Sequence, residues 1–267
     1  MTENNTGHYL ETELGRVFYQ VHGPEDAPAV VLTHGVAMDH RTFTPQVEAL
    51  KDDYRVVTWD MPFHDRSDAL DKSLSFSAVS TDLLEKIITS LGIDEAIFVG
   101  LSLGSFITSK MTLQFPERVR AEVHVSGSAM QSTYPKLLRA FIPFISFILR
   151  LLPEGMMADT FSRNKALKED TVAYLAEAVT QTGKDSLIHL MCEMMRDMTD
   201  GLPEPPEMPR LIVYGDHEKP FVIKASKAWH ERLPGSELVE IKNAHHIVNQ
   251  DNPQAFNQAL QAFLKQL

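Results

Sequence analysis

A serine stands between two glycines in the pentapeptide Gly100-Leu101-Ser102-Leu103-Gly104. Such a pentapeptide is common by chance, but here a short apolar segment, residues 96–99, precedes it and a helical pattern begins at Leu103. Glycines let the chain turn tightly between strand and helix, which leaves the serine hydroxyl exposed beside the amides of the helix start. The context therefore predicts a nucleophilic serine, the first requirement of acyl transfer.

A serine hydroxyl is a weak nucleophile, so this prediction also requires a base and an acid that orients the base. Two histidines, His245 and His246, occupy a loop after the last predicted strand. Two carboxylates, Asp216 and Glu218, follow the preceding predicted strand. The chain therefore offers the order serine, acid, histidine, which is one of the known orders of a catalytic triad.

Short β-branched segments that alternate with helical patterns must position these side chains. The predicted strands cover residues 16–22, 29–33, 54–59, 96–99, 121–126, 210–214 and 237–241. Helical patterns cover residues 77–91 and 103–115, and they end at Gly92 and Pro116. This alternation predicts a parallel sheet with helices on both faces, so that loops after several strands meet at one edge.

The alternation stops between residues 128 and 209, where several helical patterns follow one another. A proline-rich stretch, residues 203–209, closes this region and is typical of a linker returning to the sheet. We therefore predict an α/β core from residues 1–127 and 210–267, with residues 128–209 as a helical cap insertion.

The predicted cap contains two apolar helical faces. One carries Phe141, Phe144, Phe147 and Ile148, for which we expect either a hydrophobic acyl pocket or packing of the cap on the core. The other is a set of methionines at helical spacing, for which packing within the cap is favoured over a substrate-facing wall. These methionines are Met191, Met194, Met195 and Met198.

The order of motifs along nearly the whole chain resembles the α/β-hydrolase superfamily, in particular its capped, esterase-like members. The matching segments are His34-Gly35, DMPFHDRS at residues 60–67, the serine pentapeptide, FPERV at 115–119, GDHE at 215–218, and the histidine loop at 243–253. The resemblance implies an α/β-hydrolase fold, with a mostly parallel eight-stranded sheet flanked by helices and a helical cap insertion.

The resemblance also selects between the two histidines. Relatives usually place a glycine before the catalytic histidine and a proline seven residues after it. Pro253 lies seven residues after His246, and His245 then takes the place of the glycine. We therefore expect His246 to be the general base.

The acid follows from the same comparison of motifs. Relatives place it three residues after the glycine that ends the seventh strand, and Glu218 stands three after Gly215. The other position used in the family carries no carboxylate here, at residues 127–129. We therefore expect Glu218 to be the triad acid, with Asp216 as the alternative.

By similarity, the backbone amides of Val36 and Leu103 are expected to form the oxyanion hole. The loop after the fourth strand departs from the family pattern, because Phe63 and Asp65 stand where glycines are common. The shape of the neighbouring pocket is therefore expected to differ from that in relatives.

These features together predict a carboxylesterase-like serine hydrolase that cleaves a small or medium carboxylic ester or lactone through an acyl-enzyme. A serine at position 102 argues against the dehalogenase and epoxide hydrolase relatives, which carry aspartate there. Carbon–carbon bond hydrolase, perhydrolase and acyltransferase reactions use the same triad and remain alternatives. A ligand-binding signalling protein with slow turnover is a further one.

Composition restricts the partners and the location. The 267-residue chain has a net charge of −11, which disfavours nucleic acid and anionic membrane surfaces and leaves a small ester-like molecule with an apolar acyl part as the expected partner. Neither a metal nor another cofactor is expected, because zinc, phosphate-loop and dinucleotide motifs are missing from the sequence. Asp60, His64 and Asp65 lie close together in the sequence, but we interpret them as loop residues rather than as metal ligands.

A single cysteine, Cys192, and a polar amino terminus without a secretory pattern favour a cytoplasmic location. The longest apolar stretch, residues 137–152, contains Arg139, Pro143 and Arg150, so we expect no transmembrane segment.

Overall fold

The computed structural model describes residues 7–131 and 134–267. Residues 1–6, at the start of the predicted core, and residues 132–133, inside the predicted cap, lie outside the described residues. The described strands are β1 (Gly7–Thr12), β2 (Gly15–His22), β3 (Ala29–Thr33), β4 (Arg55–Trp59), β5 (Ala96–Leu101), β6 (Val119–Val125), β7 (Arg210–Gly215) and β8 (Ser236–Ile241).

These eight strands form one mixed sheet in the order β1-β2-β4-β3-β5-β6-β7-β8. The strands from β4 to β8 in this order pair in parallel, while β1, β2 and β4 pair antiparallel. Every residue of β3, β4 and β5 is buried, as expected for strands covered on both faces. The predicted fold is confirmed, and each predicted strand lies within two residues of an observed one; β1 was not assigned to particular residues.

Ten α-helices, counted over residues 7–131 and 134–267, connect and cover the strands. They are α1 (Thr44–Leu50), α2 (Phe76–Ser90), α3 (Leu103–Gln114), α4 (Ile142–Leu151), α5 (Glu154–Arg163), α6 (Glu169–Thr182), α7 (Lys184–Asp200), α8 (Pro220–Arg232), α9 (Val248–Asp251) and α10 (Pro253–Leu264). Helix α3 ends where Pro116 removes a backbone donor, as the sequence indicated. The loops that follow β3, β5, β7 and β8 lie at the carboxyl edge of the parallel strands, where the predicted catalytic residues are also found.

Helices α4 to α7 form the helical insertion between β6 and β7. Buried side chains of α5, α6 and α7, such as Met157, Leu175 and Leu187, belong to the same hydrophobic cluster as the sheet. Helix α4 instead packs through Ile142 on Ile188 of α7, in a small separate cluster. The insertion is therefore fixed to the core through α5–α7, and α4 is attached to it from outside.

The methionines of α7 pack inside the protein. Met191, Met194 and Met198 are partly buried against the main core, and Met195 lies against the small cluster beside α4. The four aromatic and aliphatic side chains predicted to form an acyl pocket or to pack on the core do neither. Phe141, Phe144, Phe147 and Ile148 are all exposed.

No single helix among the described residues is long and apolar enough to cross a membrane. Only the segments Lys136–Leu151 and Glu154–Arg163, which meet at a bend of 112°, reach the required length and composition when taken together.

Candidate active site

The serine motif forms a sharp turn between β5 and α3. Ser102 has a φ of 53°, a conformation that a residue with a side chain adopts at a cost of about 1–3 kcal/mol. The two glycines allow this turn, because a Cβ on Gly100 would lie 2.3 Å from the Gly104 carbonyl oxygen, and one on Gly104 would lie 2.1 Å from that of Thr33. The Ser102 amide donates to the Val125 carbonyl at 2.8 Å, which ties the turn to β6.

Three side chains form a continuous chain of hydrogen bonds at this turn. Nε2 of His246 lies 2.9 Å from Oγ of Ser102, and Nδ1 of His246 lies 2.6 Å from Oε2 of Glu218. The second oxygen of Glu218 accepts the Lys219 amide at 2.8 Å. All three residues are buried. A carboxylate on Nδ1 fixes the tautomer in which Nε2 is free to accept the serine proton.

The protonation states suit a general base. Burial acts to raise the pKa of Glu218, but the hydrogen bond and charge of His246 outweigh it and hold the pKa at about 2. Burial lowers the pKa of His246 and the Lys165 ammonium lowers it further, against the opposing effect of Glu218. At neutral pH the arrangement is therefore an ionised carboxylate beside a neutral imidazole.

The alternative histidine, His245, and the alternative acid, Asp216, form contacts outside the Ser102–His246–Glu218 chain. Nδ1 of His245 accepts the amide of His246 at 2.7 Å, and Asp216 accepts the amide of Ala244 at 3.2 Å. Both contacts shape the histidine loop. The structure therefore brings His246 and Glu218 to Ser102, and it gives Asp216 and His245 supporting positions in the same loop region.

The two backbone amides expected to form the oxyanion hole belong to Leu103, next to Ser102 in the chain, and to Val36, in the loop after β3. Leu103 is the first residue of α3, so its amide has no acceptor within the helix. Val36 follows Gly35, where an added Cβ would lie 3.2 Å from Cβ of Ser102. Neither the Val36 nor the Leu103 amide donates a hydrogen bond to another residue within the described ranges. Both donors are therefore available to an oxygen bound at Ser102.

Two buried histidines join the loop after β3 to the loop after β4. Nε2 of His34 accepts the Met61 amide at 2.9 Å, and Nε2 of His64 accepts the Ala37 amide at 3.0 Å. Their Nδ1 atoms lie 2.7 and 2.9 Å from the carbonyl oxygens of Gly35 and Pro62, respectively, to which they donate. Burial lowers the pKa of His34 to about 3 and that of His64 to about 4, so both rings are neutral.

From the sequence, His34 was noted only in a motif shared with relatives, and His64 only as a loop residue. Each ring accepts an amide of the opposite loop and donates to a carbonyl of its own loop, so the pair clamps the segment that carries Val36. The reciprocal contact could not be found from sequence spacing, because it joins residues about 30 positions apart.

The loop after β4 keeps an unusual backbone without the glycines that are common in relatives. Phe63 and Asp65 have φ values of 71° and 37°. A non-glycine residue adopts such angles at a cost of roughly 1–3 kcal/mol, and the surrounding contacts must compensate for this cost. The Phe63 ring lies 5.2 Å from the His189 ring of α7, so this departure replaces a small residue by a contact with the insertion.

The helical insertion also contacts the histidine loop directly. The Lys165 carbonyl, between α5 and α6, accepts the amides of His246 and Ile247 at 3.0 and 3.1 Å. The fully buried Asp251 carboxylate accepts the amides of Leu167, Lys168 and His245, at distances from 2.9 to 3.2 Å. The insertion is therefore joined to the histidine loop by hydrogen bonds to backbone amides.

One group of residues among those described has the ligand spacing of a metal site. Atoms of Asp39, His40 and Asp60 lie within 4.8 Å of one another. Their donor atoms are already engaged, because His40 contacts Asp60 at 2.9 Å and Asp39 pairs with the Arg41 guanidinium at 2.8 Å. The group is better explained as a hydrogen-bonded cluster that closes the loop after β3.

Comparisons with known proteins agree with this geometry. Residues 28–181 match the sequence model of the alpha/beta hydrolase fold family. The chain is 25% identical to 3-oxoadipate enol-lactonase 1 of Acinetobacter baylyi, over 93% of this chain and 92% of that protein. It is 23% identical to carboxylesterase YbfK of Bacillus subtilis, over 96% and 86% of the two chains.

A solved structure shows the same fold at lower identity. The enol-lactonase from Burkholderia xenovorans LB400 superposes with a TM-score of 0.83 at 20% identity, over 97% of this chain and all of that chain. The family match covers more than half of the residues, and the sheet order, the strand–serine–helix turn and the helical insertion are consistent with it. The chain therefore belongs to the alpha/beta hydrolase fold family.

Proposed function

We propose that the protein is a serine hydrolase of small or medium carboxylic esters or lactones, with Ser102 as nucleophile, His246 as general base and Glu218 as the orienting acid. The observation that carries the proposal is the unbroken chain of hydrogen bonds from Ser102 through His246 to Glu218. A buried serine, a neutral imidazole and an ionised carboxylate in this order are the groups that acyl transfer requires.

The reaction then proceeds in two steps. His246 takes the hydroxyl proton as Oγ of Ser102 attacks the substrate carbonyl, and it passes that proton to the leaving alcohol or enol. A water molecule, deprotonated by the same histidine, attacks the acyl-enzyme and releases the acid. The amides of Val36 and Leu103 would stabilise the negative charge on the carbonyl oxygen in both steps.

The expected substrate class rests on two supports. Enol-lactonase and carboxylesterase relatives align with nearly the whole chain. The serine and histidine are nearly inaccessible beneath the insertion, at 8% and 4% exposure, which favours compact substrates over polymeric ones. We further propose that residues 128–209 act as the cap of a core made of residues 1–127 and 210–267, and that no metal or other cofactor takes part.

The test uses p-nitrophenyl acetate turnover and labelling by a fluorophosphonate probe. Ser102→Ala should lose both turnover and labelling while the protein stays folded. Ser105→Ala is the matched control, because Ser105 lies one turn further along α3 and its Oγ is bonded to Nδ1 of His124 at 2.7 Å. It should still be labelled. Labelling of the Ser102→Ala protein, or one slow turnover per wild-type chain, would contradict the proposal.

A second pair of variants tests the acid. Glu218→Gln should lower kcat by about 10³–10⁴-fold, the loss expected when the histidine no longer has an ionised partner. Asp216→Asn should lower kcat by less than about tenfold, because Asp216 supports only the loop. A larger loss for Asp216→Asn would transfer the role to that residue.

A further inference from the structure

Eight large apolar side chains lie exposed in one segment of the insertion. The segment comprises the turn Lys136–Phe141, helix α4 and the beginning of α5. The exposed fractions range from 42% to 72%, and the residues, which we call the α4 patch, are Leu137, Leu138, Phe141, Phe144, Phe147, Ile148, Leu151 and Met156.

The patch is larger than a monomer usually exposes. A phenylalanine has on the order of 200 Å² to bury and an aliphatic side chain about 120 Å², so these eight side chains, slightly more than half exposed, present roughly 700 Å². The largest apolar patch of a typical monomer is about 300–600 Å². A stable interface buries about 800 Å² on each partner, so the α4 patch supplies most of the area that one requires.

Helix α4 is apolar on two opposite sides. Its inward side is already covered, because Ile142 and Leu149 pack with Ile188 and Cys192. Its outward side carries Phe144, Phe147, Ile148 and Leu151 at positions i, i+3, i+4 and i+7. This spacing forms a continuous apolar stripe along a helix, which is the arrangement of helices that pack against another helix.

Charge argues against a lipid surface as the occupant. Helices that lie on membranes carry many Lys and Arg residues on their polar side. Arg150 is the one charged residue of α4, and its guanidinium lies 3.4 Å from Asp185. Arg139, in the preceding turn, is paired with Asp200. Two of the three cations of the segment are therefore neutralised, and only Lys136 has no ion pair among the described residues. The chain as a whole carries −11, which anionic lipid repels.

We propose that the α4 patch binds the α4 patch of a second copy of this chain in a two-fold symmetric dimer. A two-fold axis brings identical surfaces together, so an apolar stripe with a neutral rim is its own complement. The stripes of two α4 helices would pack side by side, and the paired arginines would lie at the edge. This proposal does not depend on the hydrolase activity proposed above.

The test is the mass in solution, measured by sedimentation velocity from about 1 to 100 μM chain, the range in which a weak dimer dissociates. The wild-type protein should have twice the 30.1 kDa mass of the chain. Phe144→Glu combined with Phe147→Glu places four carboxylates in the symmetric interface. It should raise the dissociation constant at least 100-fold and give monomers. Because both side chains are exposed, the double variant loses no core packing.

The matched control is Phe221→Glu, the same substitution at a phenylalanine outside the patch with 60% exposure. It should remain dimeric. The proposal is overturned if the wild-type chain is monomeric throughout, or if the double variant stays dimeric. If the monomeric wild-type chain also co-sediments with phosphatidylcholine vesicles and the double variant does not, a lipid surface is the occupant and the dimer proposal is overturned.

Discussion

Asp251 is the residue whose removal should separate the insertion from the catalytic loop. Its carboxylate is fully buried and accepts three backbone amides, two from the insertion (Leu167, Lys168) and one from the histidine loop (His245). Asp251→Ala removes the acceptor of all three donors at once. The His245 amide is then left buried, and the amides of Leu167 and Lys168 are left part-buried.

The size of the effect follows from those contacts. A buried amide left without an acceptor costs about 1–3 kcal/mol, and the loss is partly offset because a carboxylate no longer has to be buried. Since only the His245 amide is left fully buried, we expect Asp251→Ala to lower the free energy of unfolding by about 2–4 kcal/mol. The amides of His246 and Ile247 remain bonded to Lys165, whose neighbours in the insertion would be released. A displacement of about 1 Å at the imidazole would lower kcat about 100-fold.

Urea denaturation followed by tryptophan fluorescence measures the first quantity, and p-nitrophenyl acetate turnover under native conditions measures the second. Val172→Ala is the control, because it truncates a buried apolar side chain of α6 without removing a hydrogen bond, and the truncation costs about 2–3 kcal/mol. It should lose stability and keep kcat. An Asp251→Ala protein that loses less than about 1 kcal/mol, or keeps the turnover of the control, would refute the reasoning.

Three further predictions concern charges and histidines around the site. Lys165→Met removes an ammonium that lowers the pKa of His246. The acid limb of the kcat/KM profile, where the imidazole becomes protonated, should therefore move to higher pH. An acid limb that stays in place or moves to lower pH would contradict this prediction. Glu122→Gln breaks a fully buried ion pair with Arg210 and should cost about 3–5 kcal/mol in urea. Burial raises the pKa of Glu122, but its charged and hydrogen-bonding neighbours hold it at about 2. The wild-type protein should therefore keep this stability above about pH 4.5 and lose it as the pH falls toward 2, and Glu122→Gln should flatten that part of the profile. His64→Leu leaves the buried Ala37 amide without its acceptor and should lower the free energy of unfolding by about 1–3 kcal/mol. It should also lower kcat more than His64→Gln does, because the glutamine amide oxygen can still accept. Equal kcat values for the two variants would exclude the positioning effect.

The sequence was sufficient for most of the sheet because its central strands are short, mostly buried and separated by turns. Residues 29–33 were predicted and observed as the same strand, and the others differ by at most two residues at an end. Strand β1, Gly7–Thr12, was not assigned, because an edge strand that is half exposed lacks a continuous apolar run. Periodicity thus located the strands that contain at least one buried residue and missed β1, which contains none.

Periodicity failed at α4 for a different physical reason. An apolar spacing shows that a helix has an apolar face, but not which neighbour covers that face. Helix α4 has two such faces, and only the face with Ile142 meets the protein. Phe144 and Phe147 were expected to point toward a pocket or the core, and they are exposed. The choice depends on how α4 packs on α7, which no local pattern contains.

Local motifs located the candidate triad, because each of its members lies at a turn with a recognisable neighbour. Ser102 stands between glycines, and Glu218 and His246 lie at fixed distances from Gly215 and Pro253. The residues that hold these turns in place are not marked in this way. Asp251, for example, acts on Leu167, which is 84 positions away.

The contacts of the insertion bear on how specificity can vary in this fold. A cap that merely covered a finished active site could be exchanged without affecting the chemistry beneath it. Here the Lys165 carbonyl binds the amide of His246 itself, and Asp251 binds amides on both sides of the boundary. The free energy that holds the imidazole 2.9 Å from Ser102 is therefore shared by the core and the insertion. A change in the connection between α5 and α6 is therefore expected to move His246 relative to Ser102, and under the proposed function such a change would lower turnover.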